Sequence, residues 1–552
     1  MSNPARGGGR SAVADAPGRL PEGTALDKGL KPGTVGLLSS IVIGTASTAP
    51  AYSLAATLGF VVIAVGVKAP SIMLLAFVPM YFIAVAYAEL NKREPDCGTT
   101  FTWAARAFGP RTGWLGGWGL IAADVIVMAN LAQIAGSYGY QLVGLDSLAE
   151  STVWTTVAGV LWIAGMTWIC YIGLEVSKRL QYVLLSVEVV VLVAFAVYAL
   201  VKVYSGDAPD GSLRPSLSWL WPSGLEWSSV TEAMLLAIFI YWGWDTAVAI
   251  NEETTDPGRT PGRAAIISTV LLLATYAVVS VATVAFAGVG TTGIGLGNED
   301  NAEDVFNAIG PVVFGDDLGG RVFEALLIIS VLTSASASTQ TTILPTARAT
   351  LSMGAYRAIP VAFARIHPRY LSPSVSTIWM GAVSIAFYVS LTIVSDNVLQ
   401  DSILAVGLLI AFYYGMTGFA CAWEFRRDLH TARDVVMRFV IPLLGGVMLL
   451  AVFVVACIEY ADPDYGFTVL FGVGGVFVIG IGTLLLGVVL MAIYNVIAPA
   501  YFRGETLRNR PGDLLLERAQ DGTGLRLPDS REETVIAPDL SNLPEGREPY
   551  QP

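Results

Sequence analysis

The chain has 552 residues, of which 54% are hydrophobic and 14% charged. Soluble domains carry about 25% charge, so this is the composition of a membrane protein. A net charge of -12 argues against nucleic-acid binding. Four scattered cysteines (Cys97, Cys170, Cys421, Cys457) and two loop histidines (His367, His430) leave no zinc site, disulfide framework or histidine triad at membrane depth. No metal, cofactor or enzymatic activity is expected.

Residues 1–34 are small, polar and expected to be disordered, with no apolar h-region of a cleavable leader. Twelve apolar segments come next, each long enough to cross a bilayer as a helix. They lie near 37–65, 70–90, 113–142, 152–173, 180–201, 229–250, 263–289, 321–346, 374–395, 401–423, 436–459 and 467–498. The segment between spans 7 and 8, about 290–320, is acidic and reads as a solvated loop. The tail from 501 to 552 is rich in Arg, Asp, Pro and Gly and is expected to be disordered, apart from a helical patch near Asp513–Ala519.

Lysine and arginine fix the expected orientation. Assigning the N-terminus and every second loop to one side places 28 of the 32 basic residues there; the exceptions are Lys68, Lys202, Arg214 and Arg321. The positive-inside rule then puts both termini in the cytoplasm and requires an even number of spans.

Two spans are interrupted. In span 1, Gly44 and Pro50 bracket Thr45, Ala46, Ser47 and Thr48. Proline removes a backbone donor and disfavours helix in the residue before it. The freed backbone groups are tolerable at depth only where they line a cavity or bind something; a plain proline kink is the bland alternative. Span 6 carries the sequence Ile238–Pro261, IFIYWGWDTAVAINEETTDPGRTP, in which Gly243 and Asp245 interrupt the apolar run. The breaks sit about 200 residues apart, each opening a possible five-helix unit. That pairing points to a transporter built from inverted repeats, with its site where they meet.

Three acids lie inside spans: Asp124, Glu188 and Asp245. An unpaired charge at the bilayer centre costs at least about 2.5–3.5 kcal/mol, so each needs a partner, a cavity or a proton. Such a carboxyl could bind a substrate ammonium or carry protons. For Asp124 the bland alternative is a hydrogen bond between helices, with Asn130 as a possible partner. Glu89, at the end of span 2, suits a salt bridge. Span 8 is dense in hydroxyls, including Ser334 and Ser338, which could ligate an ion or simply bond back to their own helix.

These residues resemble the amino acid/polyamine/organocation (APC) superfamily of permeases, of the actinobacterial amino acid type. The resemblance rests on Tyr241-Trp242-Gly243-Trp244-Asp245 with Glu252-Glu253, Pro257, Arg259 and Pro261. It also rests on Tyr87-Ala88-Glu89-Leu90 through Gly116-Gly117-Trp118, and on the segment from Ala349 to Pro373. It implies an all-α membrane fold of the leucine-transporter type, with twelve helices and helices 1 and 6 discontinuous. Residues 35–206 and 207–425 would form the inverted repeats, 426–500 two peripheral helices, and 501–552 the cytoplasmic tail.

The implied substrate site comprises Gly44, Thr45, Ala46, Ser47, Thr48, Asp124, Phe239 (the position of an aromatic gate), Tyr241, Trp242, Gly243 and Asp245. The implied ion-coupling residues are Glu188, Ser334 and Ser338. Amino acid members carry a second glycine in span 1, whose exposed amides hold the substrate carboxylate; here Ala46 stands in that place. Span 5 departs too, with Glu188 where proton-coupled relatives often have lysine. The expected protein is a plasma-membrane secondary transporter of an amino acid, with an amine or polyamine as the alternative. Its expected partners are that small molecule, a coupling ion (H+ over Na+) and the lipid bilayer. No ATP-binding motif G-x-x-x-x-G-K-[ST] occurs, and a membrane enzyme or a channel ranks lower.

Overall fold

A computed structural model describes residues 28–302, 304–315 and 318–507, with the short segments 517–518, 524–526 and 534–536. The first half runs α1 Leu37–Ser47, α2 Pro50–Val65, α3 Ala69–Arg93, α4 Thr100–Phe108, α5 Pro110–Leu142, α6 Asp146–Ala149, α7 Thr152–Ile172 and α8 Leu174–Ser205. The second half runs α9 Trp227–Ile240, α10 Thr246–Ala249, α11 Thr260–Ala287, α12 Val305–Phe314, α13 Leu318–Ala355, α14 Ser374–Val394 and α15 Asp396–Phe425. After these come α16 Ala432–Asp434, α17 Ile441–Glu459, α18 Gly475–Ile497 and α19 Pro499–Phe502.

Among the described residues, ten helical stretches are long and apolar enough to cross a membrane. One of them, Leu37–Arg93, has 57 residues. A straight helix of that length would reach about 85 Å, far beyond a bilayer of about 30 Å. It is interrupted at Thr48–Ala49, and again at Gly66, whose φ of 57° ends α2.

The most apolar window of α5 is 83% buried, whereas those of α17 and α18 are 28% and 17% buried. Helix α5 is therefore interior, and the last two long helices lie at the edge with their apolar faces outward, as a lipid-facing helix requires. The interrupted helices sit inside: α1 packs on α8, α11 and α13, and α10 packs on α1, α11 and α13.

Several expectations are corrected. Residues 28–34, expected as disordered, are ordered: Lys28 is buried, and Thr34 and Val35 donate to the Glu253 carbonyl at 2.8 and 3.1 Å. The acidic loop between spans 7 and 8 contains the buried apolar helix α12, and Asp304 at its start accepts from Tyr138 and from the Asn307 amide. Its Glu303, Asp316 and Asp317 lie outside the described residues.

Arg348, expected in a loop, is buried within α13, which continues to Ala355. The first residues of the expected span 12 form a hairpin, Val469–Leu470 (β1) with Val473–Gly474 (β2), because Phe471 and Gly472 both adopt positive φ. In the tail, Glu517–Arg518 (β3) is not helical but pairs antiparallel with Gly524–Arg526 (β4), which pairs with Thr534–Ile536 (β5). The other tail residues beyond 507, and residues 1–27, lie outside the described residues.

Candidate functional site

The first break falls where proline dictates. Ala49 takes a left-handed conformation (φ 47°, ψ 63°) and Pro50 opens α2 at its first helical position, where its missing N–H costs nothing. Gly44 does not bracket the break: it lies within α1 as a close-packing position. A Cβ there would come within 3.2 Å of the Trp244 carbonyl and 3.1 Å of the Ala247 Cβ. The carbonyl of Thr45 accepts from the Thr48 amide and hydroxyl, and that of Ala46 from the Ala49 amide. The carbonyl of Ser47 accepts from the Ser338 hydroxyl at 2.9 Å.

The second break runs through Tyr241–Asp245, between α9 and α10. Gly243 has φ 117°, and a Cβ on it would lie 2.7 Å from the Ser47 carbonyl oxygen. The two interruptions therefore meet backbone to backbone. The Ser47 and Thr246 hydroxyls share a 2.9 Å hydrogen bond across the junction, and Thr246 also donates to the Thr341 carbonyl at 3.2 Å.

The three embedded acids fall into three separate groups. Glu188 on α8 is fully buried at the start of α2. Its Oε1 accepts from the Ala51 amide and from the Ser334 hydroxyl, both at 2.7 Å. Ser334 in turn accepts from the Tyr52 amide at 3.2 Å. The other carboxylate oxygen, Oε2, is buried and has no hydrogen-bond partner among the described residues, and the same holds for Thr45 Oγ1.

Asp245 turns toward α15, where Tyr414 donates to Oδ1 at 2.8 Å and Tyr413 to Oδ2 at 3.3 Å. Trp242 donates to the Tyr413 hydroxyl. The rings of Tyr87, Trp244 and Tyr414 pack around this acid with centroids 5.2–5.7 Å apart. Asp124 accepts from Thr346 on α13, while Asn130, its candidate partner, instead accepts from Tyr52. Among the described residues no lysine or arginine pairs with any of these acids. Tyr241 faces away from the junction and donates to the Met73 carbonyl at 3.0 Å. Phe239 is half-buried near Trp242.

At the end of the bundle that carries most basic residues, the chain closes over itself. Lys28 is 1% exposed and bridges Asp96 (2.9 Å) and Glu252 (2.5 Å). Asp96 also accepts from the Gly98 amide and from the hydroxyls of Thr102, Ser352 and Tyr356. Burial pushes the Asp96 carboxyl up, but the Lys28 ammonium and these donors outweigh it and hold it at about 2. Burial beside Glu252 raises the Cys97 thiol well above its ordinary value. Asp96, Cys97 and Glu252 have ligand atoms within 4.8 Å of one another, as a metal site would need, yet the ammonium of Lys28 already supplies the positive charge between the two carboxylates. Arg348 pairs with Glu253 at 2.5 Å, both 3% exposed. Glu89 pairs with Arg438 and Lys92, the salt-bridge role its position suggests.

Sequence reasoning missed Lys28, Arg348 and the tyrosine pair. The Tyr413-Tyr414 dyad in an apolar span was the one readable signal for a buried acid's partner. Nothing local marks Lys28, whose partners lie 68 and 224 residues away.

Interrupted helices that meet inside an apolar, membrane-crossing bundle define a multi-pass membrane transporter. The chain belongs to the amino acid permease family, whose model matches residues 34–493. It is similar to an uncharacterized transporter of Mycobacterium tuberculosis, 28% identical over 353 residues, covering 63% of this chain and 72% of the relative. The branched-chain amino acid permease BcaP of Lactococcus lactis is 26% identical over 221 residues, covering 38% and 46%. The low-affinity putrescine importer PlaP of Escherichia coli is 21% identical over 432 residues, covering 76% and 88%.

Proposed function

We propose that this protein is a secondary active transporter that moves an amino acid or a related amine across the plasma membrane by alternating access. The observation that carries this is the contact of Gly243 with the Ser47 carbonyl, which joins two helix breaks at one point. The long stretch Leu37–Arg93 counts as two spans, and α9 with α10 as one broken span, which raises ten candidates to twelve. Spans 1–5 and 6–10 form the inverted repeats, with the substrate held where their broken first helices meet. Both termini face the cytoplasm. Lys28, Asp96, Glu252, Arg348 and Glu253 then form the closed cytoplasmic gate, and the bundle is shut on that side.

Protons drive the cycle, and Glu188 carries them. Among the embedded acids it is the one with a buried oxygen that has no hydrogen-bond partner among the described residues. A carboxyl that is wetted alternately from two sides can load and release a proton without a fixed counter-charge. Relatives with amino acid and putrescine names fit a substrate that bears an ammonium.

The test is uptake of labelled amino acids and diamines by proteoliposomes holding the full chain, with a proton gradient of either sign and with none. Accumulation should depend on the gradient, and Glu188→Gln should lose that dependence while uptake itself persists. Uptake equal in the presence and absence of the gradient would remove proton coupling.

A further inference from the structure

A helix that begins at membrane depth presents its first amides and the positive end of its dipole, and a broken-helix transporter can use them to hold an anionic substrate group. In α2 every one of these donors is already taken. Ala49 at the cap donates to the Ala46 carbonyl at 3.2 Å. Pro50 has no N–H. The Ala51 amide donates to Glu188 Oε1 and the Tyr52 amide to Ser334, which itself donates to the same oxygen. The Ser53 amide donates to the Ala49 carbonyl at 2.8 Å, an ordinary helical bond. Helix α2 has 16 residues, so this is a full helix terminus and not a stray turn.

Resting on the transport function proposed above, we infer that Glu188 is the specificity-determining residue. Its carboxylate fills the anion site of the broken helix from within, so the substrate is an amine without a carboxylate, such as a diamine. A substrate carboxylate would find no free amide at α2 and would face a like charge, an unfavourable juxtaposition in a buried site. An ammonium meets the opposite situation. Glu188 Oε2 is a buried acceptor with no partner among the described residues, and Thr45 Oγ1 on the facing half-helix is another. The replacement of the second span-1 glycine by Ala46 is consistent with a break that no longer has to admit a carboxylate against bare backbone.

The experiment compares matched pairs that differ only by the carboxylate. Labelled L-ornithine and 1,4-diaminobutane, L-lysine and 1,5-diaminopentane, and L-leucine as a zwitterion without a side-chain charge are offered to proteoliposomes of the full chain, with empty liposomes subtracted. The diamine of at least one pair should enter about tenfold faster than its amino acid or more, with leucine excluded. In Glu188→Ala that ratio should collapse toward one as the Ala51 amide becomes free, and added acetate should restore part of it by refilling the vacancy. Should Glu188→Ala fail to fold, Glu188→Gln keeps the bond to Ala51 while removing the charge, and it should bring the diamine-to-amino-acid ratio toward one when uptake is measured without a proton gradient. An amino acid carried by the parent protein as fast as its diamine, or faster, overturns the inference and leaves the transporter intact. No uptake of any of the five compounds removes the transport function itself.

Discussion

Gly243 shows how narrow the tolerances are at single positions. Its φ of 117° is a conformation that L side chains rarely adopt, and its missing Cβ leaves room for the Ser47 carbonyl. Gly243→Ala should lower stability by about 1–3 kcal/mol through backbone strain alone, with a further loss from pushing the two breaks apart. Gly258→Ala is the control: that glycine has no positive φ and open space around it, so its effect should stay within about 0.5 kcal/mol. Thermal unfolding of the detergent-solubilised variants measures both, and equal midpoints would mean that the breaks do not rely on this contact. The glycine and the proline were legible in the sequence because their backbone chemistry is intrinsic to the residue. The partners of the acids were not. The sequence places Asp245 beside the break as an implied substrate-site residue but does not show that Tyr413 and Tyr414 hold it toward α15, a choice made by packing between distant helices.

At the level of elements, the segment from Lys28 to Val35 is a strap that ties the chain's start to the loop after span 6. Backbone bonds run from Thr34 and Val35 to Glu253 and from Thr255 back to Val35. The ion pair of Arg348 with Glu253 lies beside it, where loss of one partner alone costs about 3–5 kcal/mol. The folded Asp96 carboxyl, at about 2, lies below its unfolded value of about 3.9. Its contribution is therefore fully present above about pH 4 and is lost as pH falls through 2, so the strap stays latched at every physiological pH.

Opening the strap has a direct reporter in Cys97, which is buried beneath it. With the other three cysteines replaced by alanine, Lys28→Met should raise the rate of Cys97 labelling by a maleimide about tenfold or more, because a buried thiol reacts only from opened states. An unchanged rate would show that Lys28 does not hold this end shut. The sequence concealed the strap because its composition is that of a disordered tail, and only tertiary partners give it structure.

Across the whole molecule, the features imposed by the solvent were the most legible. Apolar length depends on the bilayer and not on particular contacts, so the ten long apolar stretches among the described residues lie close to expected spans. Departures occur where a segment sits at the boundary: the hairpin before α18, the buried helix α12, and the extension of α13 to Ala355. The charge pattern predicts that both termini share the cytoplasmic side. Protease-cleavable tags at each end should be removed in inside-out vesicles and protected in right-side-out ones. Cleavage of just one tag in a given orientation would require an odd number of spans.

Lys28 also carries a consequence for the order of events during synthesis. It leaves the ribosome before Asp96 exists, and its second partner, Glu252, emerges 224 residues later. At about 5–20 residues per second this is a wait of roughly 10–45 seconds. During that interval the apolar helices made so far have their end unlatched. The lysine can engage both carboxylates only after the segment that follows α10 has emerged. The seal over this end of the bundle is thus a late event of biogenesis, made by a residue translated before either of its partners.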